Sequence, residues 1–342
     1  MASARSFTHA CLLSGIISFG FAQSDGYAQE QIVQVLTSIK PVHSLVSGVM
    51  SGVGEAELLL NGASSPHTYS LKPSQARSLQ SADVIFWIGE ELEVFLEKPL
   101  ETLGQKARIV TLEDVPGLTR LPFREGGAFD AHEEDEEHEE QEMHEAQSEQ
   151  HEHQDDEEEA HNSDEHDHGE LDPHIWLDPV NAGLLVSHIA SVLSEIDSAN
   201  AAEYNANAAA MQEQLTQLTG DVEALLEPVA DRPFVVFHDG YHYFEDRFGL
   251  QAAGSLTINP ETMPGAARLA EIKQKLNDLE AACIFSEPQF QSRIIDVARE
   301  GTSAKAGLLD PLGMDLQKGP ELYDQLIRNM AASFHDCLSV GS

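Results

Sequence analysis

Apolar residues recur along this chain in short runs. Residues 32–38 (IVQVLTS), 56–60 (AELLL), 84–89 (VIFWIG) and 108–112 (RIVTL) are too short for helices and suit buried strands. Between them, 43–53, 74–80 and 91–103 carry apolar residues at helical spacing. Short apolar strands alternating with helices predict a parallel sheet covered on both faces. The alternation returns with strands at 233–237, 251–258, 281–286 and 305–309 and helices at 241–248, 264–279, 293–300 and 320–337. Between the two series the pattern is helical throughout. Residues 180–196 place apolar side chains on one helix face, and 199–226 are rich in Ala, Gln, Glu and Leu, all good helix formers. The expected fold class is α/β, with two lobes of roughly four parallel strands each, flanked by helices and joined by a long helical linker. The expected boundaries are 29–178 for the first lobe, 179–226 for the linker and 227–342 for the second lobe.

The polar positions change the picture at one place. Residues 130–170 hold 21 acidic residues, 8 of the 16 histidines and no Lys or Arg. Nothing apolar there can form a core, so a solvated, disordered loop able to collect cations is expected. The bland reading is an acidic solubility segment. The whole chain has a net charge of −40, and about half of it lies outside this loop. An acidic folded part argues against nucleic acid or anionic lipid as a partner.

The N-terminus reads as a secretory signal over residues 1–28. Arg5 precedes a mostly apolar or small stretch from Ala10 to Ala22, with cleavage expected after Ala28 and Ala22 as second choice. Cys11 lies in the wrong context for lipid attachment. No later run approaches 18 apolar residues, so the mature chain is not expected to span a membrane. Two cysteines remain, Cys283 and Cys337. In an exported chain an even pair reads as a disulfide, the alternatives being free thiols or metal ligands without the usual CxxC spacing.

In open α/β sheets, ligands bind beyond the carboxyl ends of the strands. His67 follows the second strand, His174 follows the acidic loop, His238 directly follows the fifth strand and Asp310 directly follows the eighth. Two come from each lobe and can converge on a cleft between them. Three imidazoles with a carboxylate or water form a four-coordinate Zn²⁺ set. Two His with two carboxylates would suit Mn²⁺ better, and a His at position 238 tilts the choice to zinc. Each residue also has a plain structural reading. Asp310 before Pro311 can be a turn residue or helix cap. His43, His188, His242 and His335 lie in helical patterns and are left as structural, and Trp176 and Tyr69 as packing. Glu287 is a lower-ranked cleft candidate. A secreted zinc hydrolase is the rival class, but it needs a general base. Glu287 or Asp239 would have to serve, and no HExxH motif is present.

These segments resemble a known family. Residues 62–74 (GASSPHTYSLKPS), 174–179 (HIWLDP) and 237–244 (FHDGYHYF) resemble the three ligand motifs of ZnuA-type zinc receptors of bacterial ABC importers. Residues 309–313 (LDPLG) resemble the segment where manganese-binding relatives supply a carboxylate. The resemblance implies a two-lobed periplasmic receptor, monomeric, that hands Zn²⁺ to a membrane permease. It implies His67, His174 and His238 as ligands and a Cys283–Cys337 disulfide. Some members have Glu just before the first ligand. Pro66 stands here, which leaves the fourth position to Asp310, water or a loop residue. A Mn²⁺ receptor is the nearest alternative.

Overall fold

Two parallel sheets with the same strand permutation carry the molecule. The computed structural model describes residues 33–62, 64–124, 171–257, 260, 264–290 and 293–339, together with Met1. The expected signal segment and the acidic 130–170 run lie outside the described residues. The first sheet holds β1 (Val35–Thr37), β2 (Ala56–Leu58), β3 (Val84–Trp87) and β4 (Arg108–Thr111) in the order β2-β1-β3-β4. The second holds β5 (Phe234–His238), β6 (Ala252–Thr257), β7 (Cys283–Ser286) and β8 (Lys305–Leu308) in the order β6-β5-β7-β8. Every pairing is parallel, with Val35 opposite both Ala56 and Val84, and Phe234 opposite both Ala252 and Cys283.

The first lobe adds α1 (Lys40–Val49), α2 (Pro73–Ser81) and α3 (Glu97–Leu103). Then α4 (Pro179–Ile196) and α5 (Ala201–Leu226) pack against each other as a helical hairpin. The second lobe adds α6 (His242–Phe248), α7 (Ala266–Asp278), α8 (Arg293–Arg299) and α9 (Leu322–Leu338). Helix α5 has 26 residues, a rod of about 39 Å at 1.5 Å per residue. Helix α4 is long and apolar enough to cross a membrane by composition alone. Its apolarity has another cause: Leu185, Val186, Ile189 and Leu193 are wholly buried in the core.

The strand alternation sorts residues to two sides of each sheet. In β3, Val84 and Phe86 join one apolar cluster while Ile85 and Trp87 join another. In β5, Phe234 and Val236 face the first cluster, and Val235 and Phe237 a third. The first cluster is shared by both lobes. It runs from Val84 through Leu185 and Leu218 to Phe234 and Phe334 without a break. Phe334 is its best-connected ring, 4.9 Å from Phe285, 5.2 Å from Phe234 and 5.4 Å from Phe244, centroid to centroid. Truncating such a buried aromatic costs about 3–5 kcal/mol. Cys283 and Cys337 are joined as a disulfide that ties β7 to α9.

Three element ends differ from the sequence pattern. Helix α1 begins at Lys40, not His43, because Pro41 sits in the first turn, where its missing N–H costs nothing. The 91–103 helix is divided into a 3-10 turn at Val94–Leu96 followed by α3, with Pro99 in the first turn of α3. The AELLL run leaves strand geometry after Leu58, yet Leu59 and Leu60 still donate to the carbonyls of Thr37 and Ser38 at 2.8 and 2.9 Å.

Candidate metal centre

Two short turns and one strand end bring His67, His174 and His238 together. One ring nitrogen from each lies within 4.8 Å of the other two. Ring centroids are separated by 5.6 Å (His67–His174), 6.0 Å (His67–His238) and 5.2 Å (His174–His238). His174 and His238 are buried, while His67 is partly buried.

Each histidine is held by a different device. His67 lies in a short 3-10 turn, Pro66–Thr68, whose first residue is preset by proline and whose N-cap Ser65 accepts from the His67 N–H at 3.3 Å. His174 precedes a second 3-10 turn, Ile175–Leu177, all of it buried. That turn is fixed from three sides. Trp176 Nε1 donates to the Pro311 carbonyl at 2.9 Å, Tyr323 Oη donates to the Trp176 carbonyl at 2.7 Å, and Asp178 caps α4 while taking a two-pronged Arg247 contact at 2.7 Å. His238 is the last residue of β5, and Glu287 follows β7. In the order β6-β5-β7-β8 these two strands flank the switch point, where the rule for open sheets expects a ligand.

Two buried carboxylates set the tautomers. Asp172 accepts from the His174 Nδ1–H at 2.6 Å and from the His174 backbone N–H at 2.9 Å. Glu287 accepts from the His238 Nδ1–H. With Nδ1 protonated in both rings, each Nε2 carries a lone pair. Those two Nε2 atoms face each other at 3.4 Å. A tetrahedral Zn²⁺ with Zn–N bonds of about 2.05 Å requires a nitrogen separation of about 3.3 Å. Two opposed lone pairs repel, and a cation between them removes the repulsion. Gly240 leaves the space free, since a Cβ there would strike His238 Nε2 and lie 3.1 Å from His174 Nε2. The cavity behind the rings is about 20 Å³, walled by Pro66, Trp176, Phe290, Pro311 and Leu312. It has room for an ion or one water.

The electrostatics follow from burial and pairing. Burial pushes His67 down to about 2, helped by the neighbouring His174 and His238. Burial also pulls on His238, but Glu287, through charge and hydrogen bond, more than offsets it and raises the His238 pKa. Asp239, next to His238, is taken up by Arg124, which donates to it through Nε at 2.9 and 3.1 Å and also holds Glu245 at 2.8 and 2.9 Å.

The fourth expected residue is elsewhere. Asp310 is not in the three-histidine group; its Oδ1 accepts from Gln289 Nε2 at 3.0 Å and from the Leu312 N–H at 3.2 Å, and its Oδ2 accepts from the Met314 N–H at 2.5 Å. It caps a turn. Among the histidines left as structural, His43 is buried in α1 with Nε2 3.1 Å from the Ala56 carbonyl, and His242 opens α6 outside the group. Asp172, the carboxylate that holds His174, is not singled out by the sequence pattern. An acid two places before a candidate His, within reach of its own turn, was the available signal. Glu287, ranked low from sequence, is the corresponding partner of His238.

Comparison with known proteins gives a consistent family. The family model described as "ZnuA: Zinc-uptake complex component A periplasmic" matches residues 35–337. The high-affinity zinc uptake system protein ZnuA of Brucella suis biovar 1 is 50% identical over 331 residues, covering 97% of this chain and 98% of that protein. A crystal structure of a ZnuA superposes with a TM-score of 0.70 at 22% identity, covering 90% of this chain and 99% of that one. The substrate-binding protein FpvC of Pseudomonas aeruginosa in complex with Mn²⁺ has a TM-score of 0.71 at 19% identity, with coverage of 90% and 99%. Likeness at these two identities speaks to fold alone.

Proposed function

The chain belongs to the ZnuA family of periplasmic zinc-uptake components, and on that premise we propose that it captures one Zn²⁺ between His67, His174 and His238 and passes it to the permease of an ABC importer. The observation that carries this reading is the pair of Nε2 atoms facing each other at 3.4 Å, each ring held through its Nδ1 by a buried carboxylate. The cargo ion brings two positive charges, and Asp172 and Glu287 supply two negative ones through the imidazoles. Neutral nitrogen ligands favour Zn²⁺ over Mn²⁺, which prefers oxygen. The fourth position is left to water, with Asp310 held back on its turn.

Capture and release, not catalysis, is the role that the cavity supports. Its volume of about 20 Å³ suits an ion or one water, and the two carboxylates nominated as a general base already serve His238 and Arg124. The acidic run at 130–170 is proposed to gather zinc at weaker sites before transfer to the cleft. Residues 1–28 are proposed as a cleaved signal, and the mature monomer as a first lobe over 29–178, a linker over 179–226 and a second lobe over 227–342.

Calorimetric titration of the mature protein and of a form lacking 125–170 tests this, with Mn²⁺ as competitor. The deleted form is expected to keep one tight zinc site that Mn²⁺ does not displace, while total stoichiometry falls. Loss of the tight site on deletion would overturn the division of labour between loop and cleft.

A further inference from the structure

We propose that Lys40 is a positioning residue for metal choice: its ammonium locks the Asp310–Leu316 turn and so keeps the Asp310 carboxylate out of the three-histidine site. The inference rests on the reading of His67, His174 and His238 as zinc ligands.

Lys40 opens α1 in the first lobe, yet its side chain ends in the second. Its Nζ donates to the carbonyls of Gly313 at 2.9 Å, Met314 at 2.6 Å and Leu316 at 3.0 Å. An ammonium has three hydrogens, so all of its donors go to this one turn. The residue is only 6% exposed. Burial lowers its pKa, while Asp310 and Asp315 push it back up, which sets Asp310 within the field of the ammonium.

The same turn is tied from its other polar side by Asp310. The carboxylate takes the N–H groups of Leu312 and Met314, and Gln289 takes the remaining direction on Oδ1. Gly313 supplies the left-handed conformation, φ +65°, that closes the turn. Lys40 therefore holds the carbonyls of a turn whose N–H groups hold Asp310. If the ammonium is removed, three carbonyls lose their donor, and the turn no longer presents its N–H groups to Asp310. Pro311, the next residue, already lines the metal cavity. A released Asp310 is then one residue from the cavity wall. A carboxylate added to three imidazoles still makes a set that takes Zn²⁺, but the extra oxygen donor narrows its preference over Mn²⁺.

The test uses the full mature chain carrying Lys40→Met, Lys40→Gln, and Lys40→Met with Asp310→Asn. Zn²⁺ and Mn²⁺ affinities are read by competition against a fluorescent chelator. Lys40→Met is expected to lower the zinc-to-manganese affinity ratio about tenfold, in the range of other changes to groups surrounding a metal site. Lys40→Gln keeps two N–H donors in the carbonyl cage and is expected to shift the ratio less. Adding Asp310→Asn is expected to restore the parental ratio, an effect that a general loss of stability does not produce. An unchanged ratio in Lys40→Met overturns the proposal. If that variant does not fold, an unchanged ratio in Lys40→Gln overturns it instead. A parent chain without a tight zinc site would defeat the functional reading itself and not this inference alone.

Discussion

Replacing Glu287 with glutamine isolates the charge behind His238. The amide oxygen still accepts from the Nδ1–H, so shape and tautomer are kept. Two effects oppose each other. A carboxylate one imidazole away from a dication, roughly 6 Å, attracts it with a ceiling of about 5 kcal/mol at an effective dielectric of 20. Against that, Glu287 is only 3% exposed, and burying a carboxylate costs several kcal/mol that the variant avoids. The net expectation is weaker zinc binding by about 1.4–2.7 kcal/mol, a 10- to 100-fold rise in Kd. The pH profile supplies a second signature. His67, pushed down to about 2, carries no proton near neutrality. His238, raised chiefly by Glu287 against the pull of burial, is the proton competitor that begins to act at higher pH. Without the charge, burial prevails and His238 loses its proton at lower pH. The variant therefore suffers less competition in mild acid, and the ratio of variant to parent Kd should be largest near pH 8 and shrink toward pH 6. Chelator competition at several pH values measures it. A ratio near one at pH 8, or a ratio that grows as pH falls, would refute the reasoning.

His174→Ala removes a ligand and is expected to raise the zinc Kd by about 100-fold or more, far more than any single histidine in 130–170, as read by the same competition. Gly240→Ala places a Cβ against His238 Nε2 and is expected to abolish tight binding while leaving the circular dichroism spectrum unchanged. Removing both Cys283 and Cys337, which are 54 residues apart, should lower stability by about 4 kcal/mol in the chain-entropy model, seen as a lower urea midpoint. Glu93 is raised from 4.5 to about 8, mainly by burial, while hydrogen bonds from the Ile88 and Gly89 N–H groups oppose the shift. The folded state thus holds this proton more tightly than the unfolded one, so the associated stability is full below pH 4.5 and is lost as pH rises through about 8. Glu93→Gln should flatten that decline, with a ceiling of roughly 4–5 kcal/mol at alkaline pH, measured by denaturant titration at pH 5 and pH 9.

The sheets were legible because β1, β3 and β5 are buried on both faces and read as unbroken apolar runs, while the edge strands β4 and β8 are largely exposed. VIFW in β3 and FVVF in β5 have no competing helical reading, and the helices between them keep their period. The ends were less legible. Lys40-Pro41 looks like a strand boundary until the first turn of α1 is seen to accept proline. The three histidines could be nominated because each follows a strand end or its loop. Their partners could not be ranked, since a hydrogen bond such as Glu287 to His238 joins residues 49 apart in sequence. Asp310 had two plausible roles from sequence. Only the positions of Gln289, Leu312 and Met314 assign it to the turn. Lys40 gave no local signal at all, because its partners lie more than 270 positions away.

The apolar cluster shared by the two sheets constrains how cargo can be unloaded. Tyr323 of α9 reaches across to Ser44 and Trp176 of the first lobe, and hinging the halves apart like a book would break these contacts and open the interior that the two lobes share. At about 1.5–3 kcal/mol for each apolar side chain so exposed, a few of them match the whole folding free energy of about 5–15 kcal/mol. On the proposed function, release is then expected to need only a slackening of the rim on the side of His67, the most accessible of the three histidines, while the shared interior stays shut.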